Sequence, residues 1–216
     1  ETLNKIRRQD CELTVICPEH GPVSIESAYD ETLAAYHIMD LVKKANEDGF
    51  DAIIIACFSD PGLDAAKEIS KIPVIGIEES TLHVAAMLGH KFSIMTGMKR
   101  RVPTREWHTA FRGLSQSYAA SPVLGMSVLE MDADPAKAKA RIIELARKTV
   151  EEDRAEVIVL GCAELAGYAE DIERELGVIV LDPSSVALKV AEALVDLGLH
   201  HSKAGRFSYP PVKEIK

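Results

Sequence analysis

No run of eighteen or more apolar residues occurs in the 216-residue sequence, so no transmembrane helix is expected. The first ten residues, Glu1 to Asp10, lack the apolar core of a secretory signal peptide, which points to a cytoplasmic location. They also lack an initiator Met, and an upstream segment is expected. There is no basic tract. A net charge of −9 with both signs mixed along the chain argues against a nucleic-acid groove, and Arg100-Arg101 reads as a solvated loop. Only four cysteines are present, at 11, 17, 57 and 162, with the spacing of neither a zinc knuckle nor a redox Cys-x-x-Cys. Without a secretory signal they are expected to be thiols. No Pro-, Gly- or Ser-rich linker and no low-complexity segment divides the chain.

What is present is a composition, 47% hydrophobic and 27% charged, that predicts a well-packed globular protein of one domain or two small lobes. Glu12–Cys17 is short and β-branched and reads as a strand, with Cys11 and Cys17 as buried filler. A helix follows from Ser27 to Asp48, burying Leu33, Ile38, Leu41, Val42 and Ala45, and Gly49 stops it. The apolar run Asp51–Cys57 has the length of a strand covered on both faces. Asp60-Pro61 supplies a cap and first-turn proline for a helix to Ser70. Strand Ile72–Ile77, a helix from Ser80 to Leu88, strand Phe92–Thr96, a weakly patterned helix over 104–118 and an extended segment Val123–Glu130 follow. Asp134-Pro135 opens a helix to Asp153. Strand Glu156–Gly161, helix Glu164–Leu176, strand Val178–Leu181 and a helix from Asp182-Pro183 to Gly198 complete the chain. This βα alternation defines an α/β protein with mostly parallel sheets.

The sequence also repeats itself. At an offset of 105 residues, Asp51-Ala-Ile-Ile-Ile-Ala-Cys57 lies over Glu156-Val-Ile-Val-Leu-Gly-Cys162 without a gap. Ile72–Ile77 lies over Gly177–Asp182, and Leu82, Ala85 and Ala86 lie over Ala187, Val190 and Ala191. Two similar βα lobes related by a pseudo-twofold axis are expected. Residues 1–91 with 184–216 form one lobe and 92–183 the other, with the site between them. Each repeated cysteine falls at the carboxyl end of a parallel strand, the edge where open α/β sheets bind ligands. A cysteine at a buried strand end is ordinarily inert packing, but packing gives no reason to repeat a thiol at equivalent positions.

Two opposed thiols suit one reaction well. Inverting a stereocentre without a cofactor requires a base on one face of a carbon and an acid on the other. A cysteine can take either role, and a helix N-terminus just after Cys57 and Cys162 would favour thiolate and stabilise an enolate oxygen. A cysteine hydrolase is less attractive. His83, His90 and His108 have no context that marks a nucleophile's partner, His37 lies on a helix, and His200 and His201 read as solvated.

At the two cysteines the sequence resembles the aspartate/glutamate racemase superfamily, more narrowly its hydantoin racemase and allantoin racemase branch. Ala56-Cys-Phe-Ser-Asp-Pro-Gly-Leu63 is similar to the first cysteine motif and Gly161-Cys-Ala-Glu-Leu165 to the second. Gly21–Glu26, Ile72–Ile77, Phe92–Thr96 and Tyr209–Lys213 follow the branch pattern, so the likeness covers nearly the whole chain. The resemblance implies a two-lobed fold and two-base racemisation through an enolate at ring carbon C5. It further implies activity without pyridoxal phosphate, metal or other cofactor. It carries the family cysteines to Cys57 and Cys162, and pocket-lining positions to Phe58, Ser59, Ala163 and Glu164. It places Thr96 and Gly97 where a substrate carbonyl is held.

Phe58 replaces the Asn or Thr of amino-acid racemases, which implies a neutral ring with an apolar substituent. Glu164 stands where hydantoin racemases often have Gly, and the family's opening Asn-Pro-Asn-like loop precedes this chain's first residue. The implied partner is a small-molecule substrate in a homo-oligomer, with no nucleic acid and no membrane. Alternatives are an allantoin or Asp/Glu racemase, a cysteine-dependent isomerase or decarboxylase, and a non-catalytic small-molecule binding protein.

Overall fold

The short apolar runs become parallel strands, since a strand covered by helices on both faces has no need of polar alternation. The computed structural model describes residues 2–162, 165 and 168–213. In chain order the helices are α1 (Thr2–Ile6), α2 (Ala28–Asp48), α3 (Leu63–Ile69), α4 (Ile77–Leu88), α5 (Val102–Phe111), α6 (Val128–Ala133), α7 (Pro135–Asp153), α8 (Ala169–Leu176) and α9 (Pro183–Asp196). The strands are β1 (Ile53–Ile55), β2 (Val74–Gly76), β3 (Phe92–Met95), β4 (Tyr118–Ala120), β5 (Val157–Leu160) and β6 (Ile179–Leu181). β1 and β2 form one parallel sheet; the other has the order β4-β3-β5-β6 and is also parallel throughout.

The internal repeat is realised in space. At the 105-residue offset β2 falls on β6 residue for residue, and β1 falls within β5. The two ladders differ by one residue in register, Ile53 pairing with Val74 but Ile158 with Val180. The repeat-equivalent helices pack on each other: Leu82 and Ala85 of α4 and Ala187 and Ala191 of α9 share one buried cluster. That cluster also takes Ile75 of β2, Phe92 and Ile94 of β3, and Val157 and Val159 of β5, so one core touches both sheets. A second cluster lies under α7 and α8, and a third joins α2, α3 and the first sheet.

Local capping signals behave as expected at two of three sites. Asp134 caps α7 through the Lys137 N–H at 3.0 Å, and Asp182 caps α9 through Ser184 and Ser185. Asp60 does not cap the helix it precedes: α3 starts at Leu63 from Gly62, which has no side chain to offer.

Other expectations shift. Residues 12–17 join neither sheet; Val15 is 88% exposed and Ile16 51%, since a β-branched run becomes a strand only where a sheet edge accepts its ladder. Cys17 is therefore exposed and Cys11 only half-buried, not filler. The buried stripe of α2 runs through Ala34, Ile38 and Val42, leaving Leu33 partly exposed. The strand after α5 falls at Tyr118–Ala120, and a capping box of Ser127 and Glu130 turns the end of the expected extended segment into α6. Arg101 is buried against Glu31 of α2, not solvated. Among the described residues no helix is long and apolar enough to cross a membrane.

Candidate active site

Both repeated cysteines stand two residues beyond the carboxyl end of a strand, Cys57 after β1 and Cys162 after β5. Each is a half-buried thiol. Cys162 packs against the cluster under α7 and α8. Its approach is shaped by Gly161, whose N–H donates to the Met95 carbonyl at 3.0 Å; a Cβ there would lie 2.2 Å from that oxygen. β3 and β5 are in register from Phe92 with Val157 to Met95 with Leu160, so Thr96 and Gly97 continue at the same sheet edge as Gly161 and Cys162.

Thr96 is 1% exposed, its hydroxyl donating to Ile94 and its N–H to Pro122. Gly97 accepts from the N–H groups of Gly125 and Met126. Ala163 and Glu164 lie outside the described residues.

At the other sheet, Cys57 begins a turn closed by the Asp60 N–H on the Cys57 carbonyl at 2.9 Å. Its sulfur is 3.4 Å from the Ser59 hydroxyl. Phe58 is 3% exposed and belongs to the core cluster shared with α4 and α9. The turn places α3 six residues on, at Leu63, and the backbone group that acts on the thiol is that of Ser59 within the turn. Burial is the largest influence and pushes the Cys57 thiol up; Ser59 and the Arg105 charge act in the opposite direction, and Asp60 adds to the rise.

Behind this turn lies a charge cluster that the sequence reading missed. The Asp60 carboxylate accepts the N–H groups of Glu78 at 3.0 Å and Glu79 at 2.7 Å, capping α4 from another segment. Arg112 binds Asp60 at 3.1 Å. Glu78, fully buried, accepts from Arg105 Nη1 at 2.8 Å and pairs with His108 Nδ1. The two carboxylates are pushed in opposite directions. Burial, with the neighbouring Glu78 charge, raises Asp60 to about 7. Burial also works against Glu78, but Arg105, His108 and Arg112 outweigh it and hold Glu78 below the usual carboxylate range.

A cleft of about 370 Å³ opens beside the cluster, lined by Ser59, Asp60, His108 and Arg112 among others. A trace of the cluster was visible in the sequence. Arg101, Arg105 and Thr109 recur at four-residue spacing, as do His108 and Arg112, so that α5 buries polar groups where other helices bury apolar ones.

Parallel βα units with thiols at equivalent strand ends define a two-lobed α/β fold of the racemase type. Residues 1–191 match the family model described as Asp/Glu/Hydantoin racemase. The chain is 40% identical over 207 residues to a hydantoin racemase of Pseudomonas sp. (strain NS671), covering 96% of this chain and 83% of that protein. It is 38% identical to a hydantoin racemase of Paenarthrobacter aurescens, with 94% and 86% covered. Among solved structures it superposes on an allantoin racemase from Klebsiella pneumoniae with a TM-score of 0.95 at 35% identity, covering 100% of this chain and 88% of that one. The chain belongs to the Asp/Glu/hydantoin racemase family, in its hydantoin/allantoin racemase branch, and is a racemase.

Proposed function

We propose that the protein racemises 5-substituted hydantoins at C5, with Cys57 and Cys162 as a thiol/thiolate pair on opposite faces of the ring. The observation that carries this reading is the equivalence of the two cysteines, each two residues past a parallel strand in repeat-related units. In this mechanism the thiolate removes the C5 proton, and the C–H electrons move onto the adjacent carbonyl oxygen as an enolate. The opposite thiol delivers its proton to the other face of C5 as those electrons return. The two sulfurs exchange roles when the reaction runs backwards.

A hydantoin asks little of such a site, since its C5–H lies beside a carbonyl and carries no free carboxylate to oppose enolate formation. The site lies between lobes formed by residues 1–91 with 184–216 and by 92–183. Phe58, Ser59, Thr96, Gly97, Ala163 and Glu164 supply its remaining walls. A second reading, allantoin as substrate, is favoured by the likeness to allantoin racemases along the full length of this chain. It requires more hydrogen-bond partners for a ureido group than the buried Phe58 provides.

Polarimetry in deuterium oxide on single enantiomers of a 5-substituted hydantoin, allantoin, aspartate and glutamate separates the readings. The expected result is loss of rotation on the hydantoin with one deuterium entering C5. Ligand binding without exchange, or a product of changed composition, contradicts racemisation.

A further inference from the structure

The turn that holds Cys57 is gripped from the other sheet. Arg105 sits on α5, which follows β3, and is 5% exposed. Its Nη1 donates both to the Phe58 carbonyl and to Glu78 Oε1, and its guanidinium carbon lies 4.9 Å from the centre of the Phe58 ring. One cation therefore fixes the main chain and the side chain of the residue next to Cys57. We propose that Arg105 is a positioning residue for Cys57, holding its turn in place and supplying the constant positive charge that keeps the thiolate within reach. This rests on the reading of Cys57 as one of the two acid–base groups.

The charges around the thiol explain why a constant cation matters. Asp60 from the turn itself and Arg105 from α5 act on it directly, and these two are in turn bound up with Glu78 and Glu79 of α4, His108 of α5 and Arg112 at its end. Glu79 is paired with Lys67 of α3. The remaining carboxylates, Asp60 and Glu78, stand against two guanidiniums, Arg105 and Arg112. As Asp60 ionises it opposes a second negative charge on Cys57, and His108 contributes a positive charge only when protonated. A guanidinium stays charged across the whole range and, in a water-poor site, acts more strongly than a surface cation. Its forked donors allow it to bind Phe58 and Glu78 together, which a lysine ammonium matches in charge but not in geometry.

The test is the pH dependence of iodoacetamide alkylation at Cys57, followed by mass spectrometry of the peptide that contains it. The full chain is compared with Arg105→Lys, Arg105→Met, Glu78→Gln and the double variant Glu78→Gln/Arg105→Met. The single Met variant leaves Glu78 buried without its main partner, so the double variant, compared with Glu78→Gln alone, provides the decisive pair if that protein fails to fold. Loss of the guanidinium is expected to move the midpoint up by about one pH unit, an approximately tenfold fall in alkylation near neutral pH. Arg105→Lys is expected to restore the midpoint while racemisation stays reduced.

An unchanged midpoint in the folded double variant overturns the inference whether or not racemisation survives. A shifted midpoint in a protein that racemises no hydantoin supports the Arg105–Cys57 coupling and removes the reading of the site instead.

Discussion

A Cβ added to Gly76 would lie 2.4 Å from Cγ of Asp60, so the carboxylate that caps α4 occupies the space left by the missing side chain. Gly76 ends β2 and precedes α4 with no side-chain cap of its own, and Asp60 provides one from the turn after β1. Asp60→Ala is expected to cost about 1 kcal/mol or more through loss of the cap. Gly76→Ala is expected to cost about 1–3 kcal/mol through overpacking, because a carboxylate held by two N–H groups cannot step aside cheaply. Urea unfolding of both variants and their double should show strong non-additivity, with Gly76→Ala nearly harmless once Asp60 is Ala. Additive losses would contradict the shared space.

The Asp60 proton gives stability a distinctive pH dependence. Its pKa rises from 3.8 to about 7 on folding, so the folded state binds the proton more tightly than the unfolded chain. The contribution is complete below the unfolded pKa and is lost as pH rises through the folded one, up to about 4 kcal/mol in all. Wild-type stability minus that of Asp60→Asn should fall between about pH 4 and pH 7 and level off above. A difference that rises with pH in urea titrations would reverse the assignment.

His201 acts in the opposite sense. Its Nε2 accepts the Val74 N–H at 2.7 Å, although its place after the last helix suggested solvent. Burial comes first among the causes that lower its pKa below 6.5, with Lys67 and Lys203 adding to it. The depressed pKa contributes stability above 6.5 that is lost as pH falls below that value, when the ring nitrogen must give up the bond to β2. His201→Gln should lose that acid sensitivity, read from thermal unfolding at a series of pH values, and the loss of Val74 hydrogen-exchange protection expected at acid pH in the wild type should disappear with it.

Gly161 is expected to be intolerant. A Cβ there would meet the Met95 carbonyl at 2.2 Å, between the paired strands that lead to Thr96 and Cys162. Gly161→Ala should lower the unfolding temperature and racemisation together, whereas Gly205→Ala, with nothing within 4 Å, should alter neither. Equal behaviour of the two variants would mean that the β3–β5 edge is softer than its geometry.

The features legible in the sequence are those written in local chemistry. Asp134-Pro135 and Asp182-Pro183 mark α7 and α9 because each carboxylate caps its own helix. Asp60-Pro61 carries the same local signal, yet its carboxylate turns to α4, a choice made by the approach of distant segments that no window of sequence contains. The paired thiols were visible because the repeat aligns them. The cluster behind Cys57 was not, because α5 buries Arg105 and Thr109 while exposing Trp107 and Phe111, which inverts the pattern that identifies an amphipathic face. Residues 12–17 misled for the converse reason: their composition suits a strand, but no edge receives them.

Two sulfurs acting from opposite sides of one carbon are the centre of the proposed mechanism, and single-cysteine variants separate their roles. Cys57→Ser and Cys162→Ser, each offered both enantiomers of one 5-substituted hydantoin in deuterium oxide, should both lose racemisation. Each should retain C5 exchange with at most one enantiomer, and with opposite choices in the two variants. Full racemisation by either variant would contradict the two-thiol mechanism.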